Sequence, residues 1–165
     1  MGSVAPWRSR EKEWPVSLMS YAEIRFGDAP GVRALVDCLV AAGWRFPGTG
    51  GGVCYHVWTV DRDGEPEAVA FTAEADEWPA VAADLSRNLA AGRKVAVYLE
   101  RPDLDLAADF AFRPDGVVEV THNVRPMIDE CSRATGFTAL SRIILCPLTR
   151  AGFHFNEVRY TDTYL

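Results

Sequence analysis

The stretch DLDLAADFAFRPDGVVEVTH (Asp103–His122) decides the fold, because it contains two alternating segments around a turn. An alternation with a period of two puts successive side chains on opposite faces of a strand. Its apolar positions are Leu104, Leu106, Ala108, Phe110 and Phe112, and the positions between them are Asp103, Asp105, Ala107, Asp109 and Ala111. The pattern predicts a strand with one apolar and one acidic face.

The turn inside this stretch sets the register of the predicted hairpin. Residues 114–116 (Pro-Asp-Gly) suit a three-residue loop with Gly116 in the left-handed region. This loop places Phe110 opposite Val120, whereas a two-residue loop would place it opposite Glu119. The hydrophobic pattern therefore favours the longer loop. The acids that then share one face are Asp103, Asp105, Asp109 and Glu119.

Working outward, two segments show helical periodicity. The first has apolar residues at Val32, Leu35, Val36, Leu39 and Val40, with Asp28 as a cap, Pro30 in the first turn and Gly43 as its end. The second has Trp78, Val81, Leu85 and Leu89, with Asp76 as a cap, Pro79 in the first turn and Gly92 as its end. Each predicts a helix with one apolar face.

Further strands are predicted around these helices. They are Tyr21–Phe26, Val53–Val60, Glu67–Thr72, Lys94–Glu100 and Phe153–Tyr160. The last third of the chain also predicts a helix over Pro126–Thr135. For Ala139–Cys146 a strand is favoured over a helix, because an Ile-Ile-Leu run precedes Pro147, which restricts Cys146 to extended conformations.

This order of elements predicts the α+β class. Strands joined by tight turns indicate a largely antiparallel sheet, with two or three helices packed on one face. We expect residues 19–165 to form a single domain, which matches a chain of 165 residues. Residues 1–18 lack periodicity and are expected to be an N-terminal extension outside the fold.

Composition excludes several classes of function. The chain has 23 Asp and Glu against 17 Lys and Arg, a net charge of −6 and a pI near 5.1. Binding to nucleic acid or to an anionic membrane is therefore not expected. The chain has no apolar run of a membrane span and residues 1–18 have no export signal, so a cytoplasmic location is expected. The 15 Arg against 2 Lys indicate a GC-rich, bacterial genome.

The cysteines, histidines and glycines form no complete chemical motif. The four cysteines are 16, 77 and 15 positions apart, which matches no zinc-binding or redox pair, and we expect them to be reduced and buried. Cys54 and His56 share a strand face but have no apparent orienting acid, and His122 falls on the apolar side of its hairpin. Residues 47–52 (PGTGGG) are predicted to be a connector, because a helix precedes them and a strand follows. The sequence thus predicts no catalytic residue, no cofactor and no metal site.

The acidic strand face is the most informative cluster. Residues 61–119 hold 14 acids and 6 bases, a net charge of −8. The alternatives for this face are an ordinary solvated surface, a surface that steers a basic partner, or a site for a divalent cation. We expect it to bind a partner through Asp103, Asp105, Asp109 and Glu119.

Two hypotheses about function follow. The favoured one is a non-enzymatic acidic protein-binding domain of the inhibitor or immunity-protein type, which neutralises a basic bacterial partner such as a toxin or nuclease. The alternative is a small cytoplasmic enzyme or small-molecule-binding protein with a cleft near Cys54, His56 and the glycine loop. The sequence indicates no oligomeric state.

Overall fold

Seven strands join into one antiparallel sheet in a computed structural model that describes residues 18–48, 52–123 and 136–164. The strands are β1 (Leu18–Phe26), β2 (Val53–Val60), β3 (Pro66–Ala73), β4 (Val95–Arg101), β5 (Leu106–Phe112), β6 (Val117–Asn123) and β7 (Phe155–Tyr164). Their order in the sheet is β3-β2-β4-β5-β6-β1-β7. The predicted α+β class and largely antiparallel sheet are confirmed.

The β5–β6 hairpin has the predicted three-residue loop. Gly116 has a φ of +81°, a conformation that glycine adopts without steric cost. The Arg113 N–H donates to the Val117 carbonyl at 2.9 Å, which closes the loop. Phe110 consequently lies opposite Val120, as the hydrophobic pattern requires.

The prediction that β5 begins near Asp103 is wrong. Residues Pro102–Leu104 form a 3₁₀ turn, Asp105 has a φ of +51°, and the strand begins at Leu106. Pro102 lacks an N–H and has a fixed φ, which favours a turn over a continued strand. Asp103 and Asp105 therefore do not share the strand face of Asp109 and Glu119.

The first two helices lie where the periodicity predicts them, with different starts. Helix α1 (Val32–Ala41) follows Gly31 as its N-cap, and not Asp28. Helix α2 (Trp78–Ala90) follows a 3₁₀ turn, Ala75–Glu77, in which Glu74 and Glu77 form a capping box in place of the predicted Asp76 cap. Both helices end, as predicted, at a glycine with positive φ.

The strand predicted over Ala139–Cys146 is wrong, because this segment is helical. Helix α3 (Gly136–Leu140), a π-helical stretch (Ser141–Leu145) and helix α4 (Cys146–Arg150) follow one another without a break. Pro147 cannot donate the hydrogen bond that an α-helix would direct to the Ile143 carbonyl. The indole Nε1–H of Trp44 donates to that carbonyl at 3.1 Å, so the helix continues through the proline.

The described helices pack on one face of the sheet, as predicted. Trp44 is buried between this layer and the sheet, where it contacts Phe110 edge to face, with ring centroids 5.3 Å apart. The core residues of strands β1, β4, β5 and β6 are Ala22, Ile24, Phe26, Val95, Val97, Leu99, Leu106, Ala108, Phe110, Phe112, Val118 and Val120. The helices add Val32, Leu35, Val36, Leu39, Val81, Leu85, Leu140, Ile144 and Leu148.

Some predictions fall on other parts of the chain. The helix predicted over Pro126–Thr135 lies outside the described residues. Residues 1–17 of the predicted N-terminal extension also lie outside them. Leu18 belongs to β1, which therefore begins three residues earlier than expected. No helix in the described ranges is long and apolar enough to cross a membrane.

Candidate functional site

The candidate site is the sheet face that points away from the described helices, here called the open face. One row of directly opposed residues crosses all seven strands on it. From β3 to β7 the row is Thr72, Cys54, Tyr98, Asp109, Thr121, Tyr21 and Thr161. Every member has a polar side chain, in contrast to the helix-covered face, whose buried residues are mostly apolar with Ser20 and His122 as exceptions. Such a half-buried polar surface needs partners for its polar atoms.

Asp109 occupies the middle strand of this row. Its Oδ1 atom is buried and has no hydrogen-bond partner among the described residues. Desolvation raises the pKa of this carboxyl above its ordinary range, and the nearby His56 offsets only part of that effect. A buried carboxylate oxygen without a donor costs folding free energy. Asp109 as a whole is only half-buried, so a cation or N–H donor that reached its carboxyl group would reduce this cost.

Glu119 lies one row away and is already paired. Lys94 binds its Oε2, and the Arg113 guanidinium lies 3.4 Å from its Oε1. Arg113 also contacts Glu23 at 3.5 Å, and Lys94 lies 4.9 Å from the centre of the Trp58 ring. This part of the open face is therefore a network of compensated charges.

The other two predicted site residues lie elsewhere. Asp103 is bound by Arg101 at 2.9 Å, and that hydrogen bond is the main reason its pKa is lowered. Arg101 in turn donates to the Ala42 carbonyl at 3.2 Å, at the end of α1. Asp105 is exposed in the same turn. The structure thus brings together Asp109 and Glu119, and separates both from Asp103 and Asp105.

Cys54 and His56 do share the open face, as predicted, and Asp109 lies close to both. Burial raises the pKa of the Cys54 thiol, and the charges of Glu100 and Asp109 raise it further. A protonated thiol is a poor nucleophile, because the reactive form is the thiolate. Sequence reasoning missed Asp109 as a neighbour because β2 and β5 meet only through β4.

The remaining candidates do not converge on this site. His122 is 2% exposed and lies on the helix-covered side, the face opposite to that of His56, as its hairpin register predicts. Cys38 and Cys54 are half-buried, Cys146 is exposed rather than buried as expected, and Cys131 lies outside the described residues. Within the described ranges, no three His, Cys, Asp or Glu residues are arranged to hold a metal ion.

A second acidic region lies at one edge of the sheet. Residues 61–77 hold seven acids and one base, a net charge of −6. They comprise the β2–β3 turn, strand β3 and the 3₁₀ turn before α2, and we call them the acidic edge. Most of the −8 charge of residues 61–119 therefore belongs to this edge and not to the β5–β6 hairpin. A count over shorter windows of sequence would have located it.

No protein-family model, curated protein or solved structure matches this chain.

Proposed function

We propose that this chain is a non-enzymatic protein-binding domain of the inhibitor or immunity-protein type. It acts in the bacterial cytoplasm and neutralises a basic protein, such as a toxin or nuclease, that docks on the open face. The observation that carries the proposal is the carboxylate of Asp109, whose Oδ1 is buried in the middle of that face without a hydrogen bond from any residue that the structure describes.

The state of Asp109 supports a cationic ligand. Its neighbours Cys54, Tyr98 and Thr121 are neutral groups, so the carboxylate has little local compensation beyond His56. A guanidinium or ammonium group from a partner would supply both charge and donors, and charge-assisted hydrogen bonds are stronger than neutral ones. Glu119 and Glu23 would add long-range attraction, although Lys94 and Arg113 offset much of their charge.

The extent of the open face supports a protein as the ligand. Seven strands spaced about 4.8 Å apart span roughly 30 Å, and seven residues along a strand span roughly 24 Å. The product, on the order of 700 Å², is close to the roughly 800 Å² that each partner contributes to a standard protein interface. Small-molecule sites are concave clefts, which a broad sheet face does not provide.

The alternative of a small enzyme has one specific observation in its favour, the grouping of Cys54, His56 and Asp109 on one face. Its chemistry needs a thiolate at neutral pH, and the surroundings of Cys54 favour the protonated form. Iodoacetamide labelling separates the two functions. The proposal expects Cys54 to react at pH 7 no faster than an ordinary cysteine, whereas rapid labelling lost in His56→Ala would support the enzyme.

Association kinetics with a co-purified basic partner test the proposal directly. Asp109→Asn should weaken binding by about thirtyfold or more, mainly through faster dissociation, because truncation of a buried charge contact costs roughly 2 to 5 kcal/mol. Asp103→Asn is the matched control, since it makes the same change at an exposed position near α1. Equal effects of the two variants, or no effect of Asp109→Asn, would contradict docking on the open face.

A further inference from the structure

We propose that the outer edge of β3 accepts an extended basic segment of the partner as an eighth strand of the sheet. This inference rests on the proposed function in that the segment belongs to the same basic partner. It concerns a surface separate from the open face, because the edge offers backbone groups in the plane of the sheet. The argument depends on backbone direction, side-chain character and charge.

Hydrogen-bond alternation shows which β3 groups point outward. The Trp58 N–H donates to the Lys94 carbonyl. The backbone N–H and C=O groups of the even-numbered residues of β2 therefore point towards β4, and those of the odd-numbered residues point towards β3. Val57 pairs with Val69 in β3, so the backbone groups of Val69 point towards β2, as do those of Phe71. The outward residues are Ala68, Ala70 and Thr72. Their backbone N–H and C=O groups have no strand neighbour among the described residues.

Side chains leave this edge accessible. From Ala68 to Ala73 the strand carries no charge, and Ala68, Ala70, Phe71 and Thr72 are exposed, with Phe71 at 42%. Natural sheets usually protect edge strands with charged residues or bulges. The other edge strand, β7, follows that rule with the exposed ion pair of Glu157 and Arg159. The β3 edge therefore has the features of a strand-addition site.

The acids around β3 indicate that a bound segment would be basic. Acids flank the uncharged segment at both ends, with Glu65 and Glu67 before it and Glu74, Asp76 and Glu77 after it. A second copy of this chain would bring two such edges, each with a net charge of −6, against one another, which is unfavourable. A segment with Lys or Arg at both ends and β-branched residues between them would pair with these acids and with the backbone. The acidic edge is therefore complementary to a basic strand.

Nuclear magnetic resonance titration with a synthetic peptide tests the inference. The probe is the acetylated and amidated peptide KKTVTVTKK, compared with EETVTVTEE and with a copy of the first peptide N-methylated at alternate backbone positions. We expect saturable shifts at the amides of Ala68, Ala70 and Thr72 with slowed hydrogen exchange there. The affinity should be about tenfold lower for the glutamate peptide, and binding should be lost on N-methylation, which removes the donors of an added strand.

Variants of β3 complete the test. Ala70→Pro removes an outward N–H and Ala70→Lys adds a repelling charge, and both should abolish the shifts. Asn156→Lys, at an exposed position of β7 outside the row of the open face, makes the same charge change at the other edge and should have no effect. Proline is tolerated on the free side of an edge strand, as Pro66 already shows. Thermal unfolding of Ala70→Pro and Ala70→Lys checks their folding.

Three results would overturn the inference. They are equal binding of the N-methylated peptide, shifts confined to the open face, and concentration-dependent dimerisation of the protein alone that Ala70→Lys abolishes. The peptide titration does not involve Asp109, so Asp109→Asn should bind the probe normally. Failure at the β3 edge is thereby distinguished from failure of the proposed docking on the open face.

Discussion

The surroundings of Asp109 reduce the stability of the fold. Its carboxylate is desolvated on a sheet face, and its Oδ1 receives no hydrogen bond within the described part of the chain. Proteins tolerate such a group where it serves binding, because optimising it for stability would remove the interaction. The stability of the isolated protein is therefore a test of the role of Asp109.

Asp109→Asn should increase the free energy of unfolding by about 1 kcal/mol at pH 8. The pKa of Asp109 is raised in the folded state, so ionisation destabilises the fold at pH values above the folded pKa. That cost disappears as the pH falls towards about 3.9, the pKa of Asp in the unfolded chain. The increase in the free energy of unfolding caused by Asp109→Asn should therefore become smaller at low pH. Urea unfolding at pH 8 and pH 5 measures the change. The exposed turn residue gives the control Asp63→Asn, which should stay within about 0.5 kcal/mol.

Gly116 is the residue on which the hairpin register depends. Gly116→Val should lower the free energy of unfolding by about 1 to 2 kcal/mol, because its φ of +81° is unfavourable for a β-branched side chain. A Cβ there would lie at an ordinary contact distance of 3.5 Å from that of Ala29, so the expected cost comes from the backbone conformation. Gly27→Val, at an exposed glycine without a positive φ, is the control for adding the same side chain. Equal urea midpoints for the two variants would contradict this account of the turn.

The helical segment from Gly136 to Arg150 shows how an element can depend on a distant side chain. Its Ile-Ile-Leu run before Pro147 has the local character of a strand, and the structure has a π-helical stretch there. The Trp44 indole donates to the Ile143 carbonyl. In an α-helix this carbonyl would accept from the backbone N–H of residue 147, and Pro147 has none. A buried helix terminus or break needs such a donor.

A double-mutant cycle tests this dependence. Trp44→Phe should lower the free energy of unfolding by about 1 to 3 kcal/mol through the lost donor, in addition to the loss of packing. Pro147→Ala supplies a backbone N–H that can donate to the Ile143 carbonyl. Its effect on the free energy of unfolding should therefore be about 1 kcal/mol more stabilising in the Trp44→Phe variant than in the original protein. Trp78→Phe is the control, because its indole donates to the half-exposed Asp37. Additive effects in the Trp44 cycle would exclude the coupling.

The charge of the protein is distributed unevenly. The acidic edge carries a net charge of −6, which equals the net charge of the entire chain. Around the open face, by contrast, Lys94 and Arg113 compensate nearby acids. A basic partner would therefore be attracted first towards the edge, while Asp109 acts only at contact.

Equal reductions of charge should have unequal effects on association. Asp63→Asn with Glu65→Gln lowers the charge of the acidic edge, and Asp28→Asn with Glu157→Gln makes the same change elsewhere. The first pair should slow association with the basic partner severalfold more than the second at about 50 mM salt. The difference should vanish near 1 M salt, where the Debye length is about 3 Å. Stopped-flow rates measure both, and identical salt dependence would argue against steering by the edge.

Local chemistry was sufficient to predict the fold class, the β5–β6 register and the ends of α1 and α2. These features depend on alternation, helical periodicity and the conformational freedom of Gly43, Gly92 and Gly116, all of which act over a few residues. The starts of the helices were less well predicted, because Gly31 and Glu74 compete with nearby capping residues. The acids Asp103 and Asp105 were misplaced because Pro102 and Arg101 favour a turn over the strand that the alternation indicates.

The sequence therefore determined the class of the protein, its antiparallel hairpins and its excess of acid. Only the tertiary structure decided that residues 141–150 are helical, because the donor for Ile143 comes from Trp44, 99 positions away. It also decided which acids remain uncompensated, because Asp109 meets Cys54 and His56 through a third strand, whereas Glu119 meets Lys94. The physical reason is the same in both cases: desolvation and hydrogen bonding depend on which side chains meet in space, and local sequence patterns do not contain that information.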